Sequence, residues 1–157
     1  MKLATREDVE VPVAAVFETL RDYDWFERAA MRRGAEVTRG GTAARPEWTV
    51  AFMFRGQRRV LTLREGAIEA PRRLVFSGVG NLFEGDMTID LVELARRRTR
   101  IAIALEVRPL TLPARILLRS AQLARARIVR RMQSRTVQLA EVVTERWRAA
   151  QAAKTAQ

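Results

Sequence analysis

Apolar positions near the start of the chain follow first a strand pattern and then a helical one. Residues 2–11 alternate loosely between polar and apolar side chains, which predicts a first strand. Pro12 suits the first turn of a helix, and the apolar residues after it recur at spacings of three and four. Asp24 followed by Glu27 resembles a capping box, so a second short helix is predicted from there to about Met31.

The middle of the chain has the alternation that is typical of antiparallel strands. Between Ala35 and Val107 apolar residues recur at every second position, most clearly in the last two segments. The separators are short, so neighbouring strands are expected to pair as hairpins and to form a sheet with one dry and one wet face. The predicted strands are 35–39, 47–55, 58–69, 73–79, 82–94 and 98–107.

After Pro109 the apolar spacing becomes helical again and stays so almost to the end. Thr111 is the predicted N-cap, Pro113 is tolerated in the first turn, and no Gly or Pro interrupts residues 114–157. A helix over 113–150 would be roughly 55 Å long, so it must overhang, kink or cover a long curved sheet. The tail 151–157 is expected to fray.

This order of elements predicts one α+β domain over residues 1–157, because no repeat or linker divides the chain. A sheet of about seven strands is wider than one helix, so we expect it to curve around the terminal helix with the two short helices at one end. Such curvature leaves an apolar cavity. We expect its wall to contain Trp25, Trp48, Phe52, Phe54, Phe76, Phe83, Met87, Ile89, Ile103, Ile116, Leu123 and Ile128.

The same wall residues also suit an ordinary packed core, so the pattern alone does not separate the two interpretations. Trp25 and Phe26, on the second short helix, fit either a gate to the cavity or a plug that closes the core.

The amino-acid composition excludes several kinds of catalytic and metal-binding site. The chain has 157 residues, with 48% hydrophobic and 30% charged side chains, which is typical of a globular domain. It contains no Cys, which excludes disulfides and thiolate chemistry, and no His, the usual general base and metal ligand. We therefore expect no metal and no cofactor. No signal peptide or membrane-spanning run is apparent, so a cytoplasmic location is expected.

Positive charge is concentrated in the terminal helix. The net charge is +11, and residues 111–157 alone carry ten basic and two acidic side chains. A solvated face, an anionic membrane surface, nucleic acid and a homodimer contact are the alternatives. Nucleic acid has the least support, because no recognition motif occurs and the aromatic residues are not interleaved with the arginines.

The opening segment VEVPVAAVFETLRDYDWFERA, followed by six strands and a terminal helix, resembles the START-like superfamily, also called SRPBCC. Within it the chain resembles the polyketide cyclase and lipid-transport group. The most specific stretch runs from Val11-Pro12 through the apolar helix to Leu20 and on to 22–25. The resemblance covers about residues 2–150 and implies a helix-grip fold.

This resemblance also implies an interior that takes lipids, sterols, quinones, polyketides or plant hormones. Some members are cyclases, and others carry an attached Rieske domain, for which this chain has neither the length nor the Cys and His ligands. We therefore expect binding or transport of an apolar small molecule without catalytic residues. The alternatives are a cyclase or hydratase-like enzyme and an anionic-membrane protein. The candidates to face the cavity in the enzyme alternative are Tyr23, Asp24 and Glu93, together with Arg55 or Arg64 if the strand registers differ from the predicted ones.

Overall fold

The computed structural model describes residues 1–156 as one antiparallel sheet with helices on its concave side. Its strands are β1 (Lys2–Val9), β2 (Glu36–Gly41), β3 (Pro46–Phe54), β4 (Gln57–Glu69), β5 (Arg73–Val79), β6 (Phe83–Ala95) and β7 (Arg98–Pro109). The helices are α1 (Val13–Leu20), α2 (Tyr23–Arg32), α3 (Leu112–Leu123) and α4 (Arg125–Thr155).

The seven strands form a single sheet in the order β1-β7-β6-β5-β4-β3-β2. Every neighbouring pair is antiparallel, and β2 through β7 follow one another as hairpins, as the short separators predict. β1 closes the order by pairing with β7, so that Leu3 lies opposite Leu105. The predicted α+β class, with a curved seven-stranded sheet and a long C-terminal helix, is confirmed.

The core lies between one half of the sheet and the helices α1 and α4. Val143 of α4, Val16 of α1, Ile101 of β7 and Leu74 of β5 are all fully buried. Burying an aliphatic side chain of this size contributes about 1.5–3 kcal/mol. Helix α4 packs mainly on β1, at one edge of the sheet. It therefore does not cover much of the concave face of β2–β5.

The terminal helical segment is broken, whereas the sequence pattern predicts one continuous helix over 113–150. Ala124 separates α3 from α4 with φ −103° and ψ 15°, outside the helical range. No Gly or Pro marks this position, but the two helices cover different surfaces: α3 contacts β7, whereas α4 follows β1. A side chain–backbone hydrogen bond of 2.5 Å from Arg125 to the carbonyl of Lys2 holds the start of α4. Helix α4 continues to Thr155; the fraying of the tail 151–157, whose last residue lies outside the described residues, stays a prediction.

Helix α2 is capped by a different residue from the predicted one. The side chain of Asp22, not Asp24, accepts the backbone N–H of Trp25 at 3.2 Å. Asp24 lies inside the first helical turn, where its carboxylate binds Arg39 at 2.7 Å. The predicted cap of the terminal segment is confirmed, since Thr111 accepts the backbone N–H of Ala114 at 3.2 Å.

Candidate functional site

A cavity of about 530 Å³ lies between the concave face of the sheet and the helices α1, α2 and α4. This volume is within the usual range for small-molecule sites. Its surface is almost entirely apolar. The residues that border it include Leu20, Phe26, Ala30, Val37, Trp48, Val50, Leu61, Leu63, Phe76, Phe83, Met87, Ile89, Ile103, Leu105, Val107 and Leu139.

Two glycines on neighbouring strands lie against this space. Gly78 of β5 is directly opposite Gly85 of β6, and both border the cavity. A Cβ atom on Gly78 would come within 3.0 Å of Leu63 Cδ2, and one on Gly85 within 2.6 Å of the Glu106 carbonyl oxygen. The sheet therefore needs glycine at position 85, where the close atom belongs to the backbone, whereas at position 78 it is the end of a flexible side chain. Because both residues are glycines, no side chain from either one fills the space above it.

Tyr23 places a polar group at the end of the cavity beneath α2. Its hydroxyl donates to Glu65 Oε2, and the Arg21 guanidinium donates to the same oxygen at 3.3 Å. The Glu65 side chain is only 7% exposed. The Tyr23 ring stands edge-on to Trp48 and Phe76, with centroids 5.0 and 6.1 Å away. Burial, together with the bond to Glu65, raises the pKa of the Tyr23 hydroxyl above its ordinary value of 10.

Glu27 is a second polar residue that borders the same end of the cavity. Its Oε1 atom accepts the indole N–H of Trp48 at 2.7 Å and the Nε–H of Arg39 at 2.5 Å. The side chain is 17% exposed. The hydrogen bond to Glu27 raises the pKa of the Arg39 guanidinium above its ordinary value. The carboxylate thereby joins α2 to β2 and β3 across the cavity end.

The opposite face of β5–β7 carries an ionic network. Ser77, Glu84 and Asp86 are among the residues that border the cavity, but strand alternation directs their side chains to the opposite face of the sheet. The Asp86 carboxylate accepts Arg108 at 2.9 Å and the Ser77 hydroxyl at 3.0 Å. These bonds, the one from Arg108 first, lower the pKa of Asp86. The network keeps these charges out of the cavity.

Six of the predicted wall residues border the cavity: Trp48, Phe76, Phe83, Met87, Ile89 and Ile103. The others lie outside it. Trp25 packs edge-on against Phe26 at 5.0 Å, and Phe52 and Ile128 are half-buried elsewhere. Phe54 is 53% exposed because it ends β3 at a hairpin. Ile116 and Leu123 are 61% and 92% exposed, because the break at Ala124 turns α3 away from the concave face.

Of the acid–base candidates, the structure brings Tyr23 alone to the cavity. Asp24 is 67% exposed in its side chain, and Glu93, Arg55 and Arg64 are exposed as well. Two acidic residues were not among the predicted site residues: Glu27, which borders the cavity, and Glu65, which accepts the Tyr23 hydroxyl. Strand alternation was the available signal, because Glu65 follows Leu61 and Leu63 at every second position and therefore shares their face.

The part of the chain that the structure describes, residues 1–156, contains no group of three or more acidic side chains placed to hold a metal ion. Within the same range, no helix combines the length and the apolar character needed to cross a bilayer.

Comparison with known proteins supports the fold. No protein-family model matches the sequence, and no curated protein matches it. Solved structures do match. The Zhui aromatase/cyclase of a Streptomyces species has a TM-score of 0.70 at 14% identity, covering 96% of this chain and 97% of that chain. A Thermus thermophilus protein has a TM-score of 0.68 at 17% identity, covering 91% of this chain and 97% of that one. A START superfamily protein from Mycobacterium smegmatis has a TM-score of 0.58 at 15% identity, with 88% and 98% covered.

The class of protein is therefore defined by its architecture. A seven-stranded antiparallel sheet, two short helices after the first strand and a long C-terminal helix make this a START-like, or SRPBCC, fold. At these identities the likeness extends to the fold and no further.

Proposed function

We propose that this protein binds or carries an apolar small molecule in the cavity and performs no chemistry on it. The observation that carries the proposal is the 530 Å³ space with its almost wholly apolar border. Burial of ligand carbon there would contribute about 25 cal/mol per Å² of apolar surface. A lipid, a quinone or a polyketide-like molecule fits this description.

An enzyme of the cyclase or hydratase type is the alternative, and the Tyr23–Glu65 pair is the observation that favours it. The Tyr23 hydroxyl is protonated at neutral pH at its ordinary pKa of 10, and burial raises that pKa, so the side chain does not act as a base there. The same O–H already donates a hydrogen bond to Glu65. The pair is therefore better suited to hold a ligand than to transfer a proton to it.

Obstruction of the cavity tests the proposal. In Met87→Arg a guanidinium enters the apolar space, and in Ala30→Trp an indole fills it without adding charge; both positions border the cavity. Native mass spectrometry of freshly purified protein, followed by organic extraction, should show a co-purified molecule in the wild type. We expect either variant to lower its retention about tenfold or more, which corresponds to about 1.4 kcal/mol.

Thr88→Arg is the matched control, because it adds the same charge one residue further along β6 on the opposite face. It should retain the ligand as the wild type does. Equal retention by all three variants, each with a cooperative unfolding transition, would contradict the cavity as the binding site. An extracted molecule whose mass differs between the wild type and Tyr23→Phe would instead support the enzyme.

Contact with an anionic membrane is a second candidate function, favoured by the outward face of α3. Leu112, Ile116 and Leu123 are 69%, 61% and 92% exposed, and their spacing places them on one side of the helix. Arg115 and Arg119 are exposed between them and form no ion pair within residues 1–156. Aliphatic side chains flanked by cations suit a bilayer interface. In a symmetric dimer through this face, the arginines of the two copies would repel one another.

Vesicle sedimentation tests this contact. We expect binding to vesicles that contain phosphatidylserine, weak binding to pure phosphatidylcholine, and loss of binding as salt rises. Leu112→Ser/Ile116→Ser/Leu123→Ser should weaken binding about tenfold. The control Met53→Ser/Phe54→Ser removes exposed apolar side chains from the β3–β4 hairpin and should bind as the wild type does. Equal loss in both variants, or a dimer in sedimentation velocity that the triple variant abolishes, would contradict the membrane contact.

A further inference from the structure

The polar groups beneath α2 differ in whether their hydrogen-bonding capacity is already used. Tyr23 has one O–H, and it points to Glu65. Trp48 has one N–H, and it points to Glu27. Both donor hydrogens of this cavity end are therefore already engaged with carboxylates that accept them.

Two hydrogen-bond acceptors at the same end of the cavity, on Glu27 and Tyr23, can accept further hydrogen bonds. Within residues 1–156, Oε2 of Glu27 receives no hydrogen bond, since both bonds to this carboxylate end on Oε1. The Tyr23 oxygen retains its lone pairs, and donation to a carboxylate makes such an oxygen a stronger acceptor. The nearby guanidinium groups of Arg21 and Arg39 do not border the cavity.

We infer that the ligand places a hydrogen-bond donor, a hydroxyl, phenol or amine group, beneath α2 against Tyr23 and Glu27, and that a carboxylate is excluded there. The inference deepens the proposed function and rests on it. A donor on the ligand can form hydrogen bonds to the free acceptor atoms of Tyr23 and Glu27. A carbonyl or ether oxygen on the ligand would need a donor, and the O–H of Tyr23 and the N–H of Trp48 are both engaged. An anionic head group would in addition face the carboxylate of Glu27, which borders the cavity.

Reorientation of Tyr23 toward a ligand carbonyl is disfavoured by its surroundings. The ring is held edge-on by Trp48 and Phe76. The Glu65 side chain is only 7% exposed. If the Tyr23 hydroxyl turned away from it, Arg21 would be the one hydrogen-bond donor left to the Glu65 carboxylate among the described residues. Removal of one partner from a buried charged group is costly, so the donor of Tyr23 stays with Glu65.

Matched aromatic probes test the inference in titrations monitored by calorimetry. The probes are 2-naphthol, which carries a donor, 2-methoxynaphthalene, which carries an acceptor alone, and 2-naphthoate, which is anionic. We expect wild-type protein to bind 2-naphthol about tenfold more tightly than the methoxy probe, and 2-naphthoate most weakly. In Tyr23→Phe, and in Glu27→Gln, which adds an amide donor, the preference for 2-naphthol should fall.

Equal affinity for the hydroxyl and methoxy probes, or tightest binding of 2-naphthoate, would overturn the inference while leaving the proposed function in place. Failure of all three probes to bind would overturn both. An unchanged preference for 2-naphthol in both variants would also contradict the assigned acceptors.

Tyrosine absorbance gives a second readout that does not require a ligand. Tyr23 is the single tyrosine of the chain, so the phenolate signal at about 295 nm reports on it alone. Because burial and Glu65 raise its pKa, we expect the folded protein to ionise above the ordinary value of 10. Glu65→Gln, which removes the negative charge, should lower this midpoint. A wild-type midpoint at the ordinary value would show a free hydroxyl and contradict the engaged donor.

Discussion

Val143→Asp is expected to abolish cooperative folding or to lower the free energy of unfolding by about 4 kcal/mol or more. Val143 is fully buried where α4 meets the core, so an aspartate there loses its hydration without gaining a partner. Urea unfolding followed by circular dichroism measures the change.

Ile116→Asp is the matched control, because the sequence pattern places both residues on one apolar stripe. Ile116 is 61% exposed on α3, and we expect its replacement to change the free energy of unfolding by no more than about 0.5 kcal/mol. Comparable destabilisation by the two substitutions would mean that the helix is continuous and that α3 packs on the core.

Asp22→Ala should destabilise the protein by about 2 kcal/mol and loosen α2 above the cavity. The Asp22 side chain caps α2 through the Trp25 backbone N–H and binds Arg146 of α4 at 2.6 Å. Loss of a cap costs about 0.5–2 kcal/mol. The substitution also removes the carboxylate that binds the Arg146 guanidinium. The Nη1 atom of this guanidinium is already buried without a hydrogen-bond partner among the described residues.

Asp24→Ala tests the alternative cap that the sequence pattern predicts. Because its ion pair with Arg39 is exposed, we expect a change of no more than about 0.5 kcal/mol. A larger effect at Asp24 than at Asp22 would contradict the cap of α2. Thermal and urea unfolding of the two variants give the comparison.

The contribution of Asp22 should depend on pH. The hydrogen bond from Arg146, followed by the one from the Trp25 backbone, holds the pKa of Asp22 below its ordinary value of 3.8. A lowered folded-state pKa means that the stabilisation is fully present above 3.8 and is lost as the pH falls through the lowered value. The difference between the wild type and Asp22→Ala should therefore shrink in acid. A constant difference from neutral pH to strong acid would contradict the ion pair.

The candidate site was predictable where one strand pattern decides which face a residue occupies. Phe83, Met87 and Ile89 alternate with polar residues, and all three border the cavity. The same alternation applied to β4 would have indicated Glu65. Phe54 shows the limit of the rule, because parity gives the face of a strand but not how far along the strand the cavity extends.

The order of the elements, the antiparallel hairpins and the two faces of the sheet were determined by the sequence alone, because the period of apolar residues reports directly on which side of a strand or helix is buried. Tertiary structure decided the rest. The helical stripe from Ile116 to Val143 has one period throughout, but only the part that lies over β1 is buried, because the chain bends at Ala124. Tyr23 and Glu65 are 42 residues apart, and only the curvature of the sheet beneath α2 brings that hydroxyl to that carboxylate.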